Sequence, residues 1–305
     1  MENYLSLLAG IACAALGGEF FVQGAVGIAR WARVSPGIIA VTVAAFATSS
    51  PELSVSVNAA LAATPQIALG DALGSNVVNV ALILGSALAI SGIRSPRDTI
   101  RRDFPVALAV PLVTAVLVSD GVLSRLEGAA LFVGFLVWLS FAVAEARRQR
   151  RASVDVGGEL RHRRALLLAA IGLGLLVAAG TLIVAGARGI AHSYGLEEFV
   201  IGATVVAVGT SVPELATAIM AKVRGHDEVG LGTILGSNLF NGLFIISVAA
   251  MIHPIPIDTR EVFIALGFGF AAVAFTLPRG DGSIGRARGA LLLLLYVGYL
   301  AAVLG

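Results

Sequence analysis

The chain has 305 residues, 57% of them hydrophobic and only 13% charged, against roughly 25% charged in ordinary soluble domains. With a mean hydropathy of +0.92 it is excluded from the soluble globules and reads as an all-α integral membrane protein for which no nucleic-acid partner is expected, while the net charge of +2 is uninformative until its distribution is read. The one cysteine, Cys13, rules out an intramolecular disulfide or a thiolate-built metal site.

In chain order, the opening MENYLSLLAG lacks the basic region of a cleaved signal peptide, and its apolar run continues too far for one, so it predicts a first membrane helix. Apolar stretches long enough to span a bilayer recur at about 4–29, 36–62, 68–92, 104–120, 126–145, 165–192, 198–222, 229–252, 261–278 and 288–304. The longest polar stretch, RRQRRASVDVGGELRHRR at 147–164, reads as a hinge loop and not a domain, and links a first five-helix half (1–146) to a second (165–305). Allocating the cationic residues to alternate sides puts 18 of the 21 Lys and Arg on one side, leaving only Arg125, Arg188 and Arg260 on the other. The positive-inside rule then makes the central link cytoplasmic and places both termini outside.

Residues 17–85 align without a gap on 179–247, at an offset of 162. AVTVAAFATSSPE answers GATVVAVGTSVPE, and ALGDALGSNVVNV answers GLGTILGSNLFNG. Because five spans is an odd number, the second copy enters the membrane the other way up, which predicts two inverted five-helix repeats around a site at their interface. The recurring residues are chemical ones: Thr48, Ser49, Pro51, Glu52, Ser75, Asn76 and Asn79 return as Thr210, Ser211, Pro213, Glu214, Ser237, Asn238 and Asn241.

Thr48 and Glu52, Ser75 and Asn79, and their counterparts are four residues apart, so each pair shares a helix face. Pro51 and Pro213 remove the amides that would bond the carbonyls of Ala47 and Gly209, freeing main-chain oxygens beside the carboxylates. Interrupted helices 2, 3, 7 and 8 around a central site are expected. An in-membrane carboxylate costs roughly 2.5–3.5 kcal/mol on insertion scales, and an all-oxygen shell suits hard cations such as Ca2+ or Na+, which supply the counter-charge.

These paired TSxPE and GSNxxN blocks resemble the alpha repeats of the cation/Ca2+ exchanger superfamily, specifically the short prokaryotic members similar to sodium/calcium exchangers. The resemblance covers essentially the whole chain. It implies that Glu52 and Glu214 are the central acidic ligands, with Thr48 and Thr210 lending carbonyl oxygens to Ca2+. It further implies an outer Na+ site of Glu52, Ser75, Ser211 and the carbonyl of Ala207, and an inner one of Glu214, Ser49, Ser237 and the carbonyl of Ala45. Asn79 and Asn241 complete the cluster, and the first and sixth helices slide across the rest. Many sodium/calcium exchangers carry Asp where this chain has Asn241, so two formal negatives stand here in place of three, and the coupling ion is left open.

The expected function is therefore Ca2+ export against Na+ entry across the inner membrane by a protein that is monomeric, carries no cofactor and is not an enzyme. H+/Ca2+ exchange is the alternative, feasible because burial raises carboxylate pKa. A cation channel is a weaker one, since inverted repeats in one chain argue for coupled flux. Glu19 has Thr181 as its counterpart and reads equally as a structural pair or a functional group. Asp71 is expected as a first-turn acid, and Gly70, Gly74, Gly232 and Gly236 as sites of close helix packing. The four histidines fall in links or at span ends, which argues against a metal cluster.

Overall fold

The computed structural model describes every residue except 1, 62, 64, 153–158, 194–206, 258 and 305. In chain order the helices are α1 (Glu2–Ala32), α2 (Pro36–Thr48), α3 (Ser50–Leu61), α4 (65–90), α5 (Arg97–Leu117), α6 (Arg125–Ala152), α7 (Glu159–Ser193), α8 (Ala207–Thr210), α9 (Val212–Val223), α10 (Asp227–Ile252), α11 (Thr259–Phe275) and α12 (Arg286–Leu304). Among the described residues five helices are long and apolar enough to span a bilayer, and the bent pair α2 and α3 makes a sixth. The first part of the seventh expected span, 198–206, lies outside the described residues.

Polarity is inverted relative to a soluble protein. Leu5, Leu8, Val116, Leu126, Phe141, Leu167 and Leu294 face outward, whereas Thr48, Glu52, Asn79, Glu214 and Asn241 are buried. Such an apolar exterior needs a lipid solvent, and the buried polar groups need partners inside the protein.

Helix 2 breaks at Ser49, where α2 and α3 meet at 44°, and the seventh breaks at Ser211. Each interruption falls two residues before a proline, as the missing amide requires. The helix restarts at once: the amide of Leu53 donates to the Ser49 carbonyl at 3.1 Å, and that of Leu215 to the Ser211 carbonyl at 3.0 Å. Helices 3 and 8 correct the expectation of a break. Both α4 and α10 are continuous and carry a π-helical stretch, Val78–Leu84 and Phe240–Ile245. No proline stands in either stretch, so the backbone stays bonded, and one wide turn re-aims the side chains at Asn79 and Asn241.

Three smaller expectations are also corrected. Asp71 is not in a first turn, because Pro65, preorganised for a helix start, opens α4 earlier. The central link is largely helical, with α6 running to Ala152 and α7 starting at Glu159, since Arg and Ala are good helix formers. Gly70 has open space beside it and Gly74 meets only the Tyr299 hydroxyl at 3.6 Å, so neither is a close-packing position, whereas a Cβ on Gly232 would come within 2.8 Å of Ala40.

The chain forms two compact units, residues 1–48 with 141–234 and residues 49–140 with 235–305, so each draws on both halves of the sequence. In the first, α1 lies along α7 through small residues. A Cβ on Gly24 would stand 2.4 Å from the Ala169 nitrogen, and one on Gly172 would stand 2.4 Å from that of Phe21. Phe21, Ala44 and Leu176 pack together, as do Val22, Val26, Ala40, Ala221 and Val229.

In the second unit the connections of the two sequence halves hold each other. Val122 and Leu123 (β2) pair antiparallel with Ile255 and Pro256 (β3), while Ile93 and Arg94 (β1) pair with Ser283 and Ile284 (β4). The turns before β2 and β4 are alike: Asp120 accepts the amide of Val122 at 3.2 Å, and Asp281 that of Ser283 at 2.9 Å. Gly121 and Gly282 follow at φ +90° and +81°, a conformation glycine adopts without steric cost. Hydrogen bonds from the Ser283 hydroxyl and amide hold the Asp281 carboxyl below the usual carboxylate range. Next, Arg125 donates to the carbonyls of Met251 and Ile252 at the end of α10, and Arg286 to that of Ala89 at the end of α4. Both guanidinium groups thereby satisfy helix C-termini.

Candidate cation site

Of the residues expected at the site, Ala45, Thr48, Ala207, Thr210, Ser211 and Glu214 lie in the first unit, and Ser49, Glu52, Ser75, Asn79, Ser237 and Asn241 lie in the second. In the first unit the 45–48 turn of α2 packs on α9. The Thr48 hydroxyl donates back to the Ala45 carbonyl at 3.3 Å. Ala207 opens α8. Glu214 lies in the first turn of α9 and is 0% exposed. The buried Ser211 hydroxyl has no hydrogen-bond partner among the described residues.

In the second unit α3 packs on α4 and on the last turns of α10, and α4 packs on the π-helical part of α10. Glu52, 1% exposed, lies in the first turn of α3, as Glu214 does in α9. Ser49, Ser75, Asn79, Ser237 and Asn241 are all buried. The Ser75 hydroxyl, the Asn79 carbonyl oxygen and both amide atoms of Asn241 lack hydrogen-bond partners among the described residues. Unmade buried hydrogen bonds cost about 1–3 kcal/mol each, so such a concentration on two helix faces is an uncompensated expense unless a ligand meets it.

The second unit also gives a role to two repeat residues that the spacing argument does not reach, Asn76 and Asn238. Asn76 donates its amide to the Asn238 carbonyl at 3.3 Å, and Asn238 donates its own to the Asn76 carbonyl at 3.1 Å. Asn79 donates to the Asn238 side-chain oxygen at 3.1 Å. The signal was present in the sequence: Asn76 and Asn238 are repeat equivalents beside candidate ligands.

No group of three or more His, Cys, Asp or Glu that could hold a metal occurs among the described residues. The expected ligands other than the two glutamates offer hydroxyl, amide and carbonyl oxygens, a set matched to hard cations. Glu19 belongs elsewhere: Arg224, just past α9, donates to it at 2.8 Å, and Gln23 bonds it too. This pair ties α1 to α9, and Arg224 is 54% exposed, so exchange of the pair for neutral groups is a small change. Glu19→Gln is expected to cost no more than about 1 kcal/mol of stability, seen as a small shift in the melting temperature of the purified protein.

The sequence profile of the sodium/calcium exchanger protein family matches residues 3–144 and 164–305. The chain is 34% identical to the inner membrane protein YrbG of Escherichia coli, over 83% of this chain and 80% of that one. It is 26% identical to the sodium/calcium exchanger MaX1 of Methanosarcina acetivorans, over 99% and 98% of the two chains. Among solved structures, one of the sodium-calcium exchanger NCX_Mj superposes with a TM-score of 0.87 at 29% identity, covering 99% of both chains. With the apolar exterior, the two proline-broken helices and the buried glutamates at their breaks, these matches place the chain in the sodium/calcium exchanger family of membrane proteins.

Proposed function

We propose that the protein is a secondary antiporter of the inner membrane that exchanges Ca2+ for Na+ by alternating access, with Glu52 and Glu214 serving each ion in turn. The observation that carries this reading is the burial of both glutamates at the restart of proline-broken helices, 1% and 0% exposed. Thr48, Thr210, Ser49, Ser211, Ser75, Ser237, Asn79, Asn241 and the carbonyls of Ala45 and Ala207 are the proposed further ligands. An empty, doubly charged site resists crossing, and a site neutralised by one Ca2+ or two Na+ does not, which couples the two fluxes.

Ten spans in two inverted repeats, with both termini outside, complete the proposal. Reciprocity of contacts supports it: β1 with β4 answers β2 with β3, Arg125 on α10 answers Arg286 on α4, and Asn76 and Asn238 exchange the same bond. Contacts made in both directions between equivalent positions are what a two-fold relation generates.

The test is 45Ca2+ flux in reconstituted vesicles under a Na+ gradient, compared with a pH gradient alone. Uptake is expected with Na+ only. Uptake under the pH gradient alone would replace Na+ with H+ as the coupling ion, a second reading favoured by the neutral Asn241, and large single-channel currents would replace exchange with a channel.

A further inference from the structure

The hydrogen bonds between α4 and α10 fix the orientation of three amides. A main-chain carbonyl can only accept, so the bond from Asn238 to the Asn76 carbonyl puts the Asn238 nitrogen on that side and its oxygen on the other. That oxygen accepts from Asn79 at 3.1 Å, so Asn79 must offer its nitrogen there. Its own oxygen, buried and without a hydrogen-bond partner among the described residues, is turned away from Asn238. By the same logic the bond from Asn76 to the Asn238 carbonyl commits the Asn76 nitrogen and presents the Asn76 oxygen, which is likewise buried without a partner among the described residues. The repeat equivalent of the Asn79 bond is donation from Asn241 to that oxygen. In this structure Asn241 makes no hydrogen bond to a described residue with either amide atom.

We propose that Asn76 and Asn238 are positioning residues of the cation site, each setting the amide of one candidate ligand so that oxygen, and not NH2, is offered to the ion. Asn238 sets Asn79, and Asn76 sets Asn241. An amide flipped the other way would point two N–H donors at a cation, exchanging attraction for repulsion. The Asn79 arm is preset, while the Asn241 arm closes when a cation draws the Asn241 oxygen and its nitrogen swings to Asn76. This rests on the reading of Asn79 and Asn241 as ligands.

Equilibrium binding of 45Ca2+ to the purified protein tests it without reference to the coupling ion. Asn238→Leu, which removes both halves of the amide at similar volume, is expected to raise the Kd about tenfold, the scale of one or two lost hydrogen bonds. Asn238→Asp keeps an acceptor facing Asn79 and is expected to recover most of that loss. In an Asn79→Asp background, where both side-chain oxygens accept and orientation no longer matters, Asn238→Leu is expected to cost less than about twofold, yet to keep its full effect in Asn241→Asp. A packing role predicts equal losses in all backgrounds. Equal losses, an Asn238→Leu Kd matching the wild type, or an Asn238→Leu protein that does not fold would overturn the proposal. If Asn79→Leu and Glu52→Gln bind Ca2+ normally, the ligand assignment has failed; if they lose binding and Asn238→Leu does not, only the positioning role has.

Discussion

Glu52→Gln and Glu214→Gln are each expected to abolish Ca2+ uptake while leaving a protein at least as heat-stable as the wild type. On the proposed function one divalent ion is balanced by both carboxylates; with one of them neutral it would keep a full uncompensated charge. Two charges about 4 Å apart at an effective dielectric of about 20 interact by about 4 kcal/mol, which is about three decades of affinity. Gln preserves shape and one acceptor oxygen, so the loss is electrostatic and not steric. Stability moves the other way, because each substitution removes a buried carboxylate from a protein without bound ion, relieving desolvation. Uptake of 45Ca2+ in vesicles and the melting temperature in Ca2+-free detergent check the two halves of this expectation. Normal uptake in either variant removes that glutamate from the site, and a collapse in melting temperature makes its role structural.

What the sequence made legible was the part governed by local chemistry. A proline two residues past Ser49 and Ser211 dictates a break, and helical spacing puts Thr48 with Glu52 on one face, so the buried polar positions could be named from the repeat. The π-helical stretches at Asn79 and Asn241 were not legible, because no residue type demands a wide turn. Asp71 was misplaced since an apolar count starts the helix at 68, whereas Pro65 begins it. The asparagine clasp needed the faces of two helices at once. The repeat also extends further than the ungapped alignment: SDGVLSR at 119–125 matches GDGSIGR at 280–286 at an offset of 161. One residue fewer in the second copy hides Asp120, Gly121 and Arg125 from their equivalents Asp281, Gly282 and Arg286, and only their shared turn geometry and capping make the match plain.

The largest structural effect is expected at the α1 and α7 contact, from Gly172→Leu. Helices in lipid gain nothing from hydrophobic association, because the solvent is as apolar as the side chains, and their pairing depends on backbones approaching closely over small residues. At Gly172 the first atom of any side chain would sit 2.4 Å from the Phe21 nitrogen and 2.9 Å from the Gly17 carbonyl oxygen. Those neighbours are main chain and cannot rotate away, so the helices must separate along their shared length. Separation withdraws Phe21 from Leu176 and Ala44, and with it the packing that seats the 45–48 turn bearing Thr48. Gly172→Leu is therefore expected to yield protein that aggregates on size exclusion and binds no Ca2+. Gly174→Leu, two residues on and facing open space, is expected to behave as wild type in the same two measurements. Equal behaviour of the two variants would mean that α1 and α7 are held by something other than their small-residue contact.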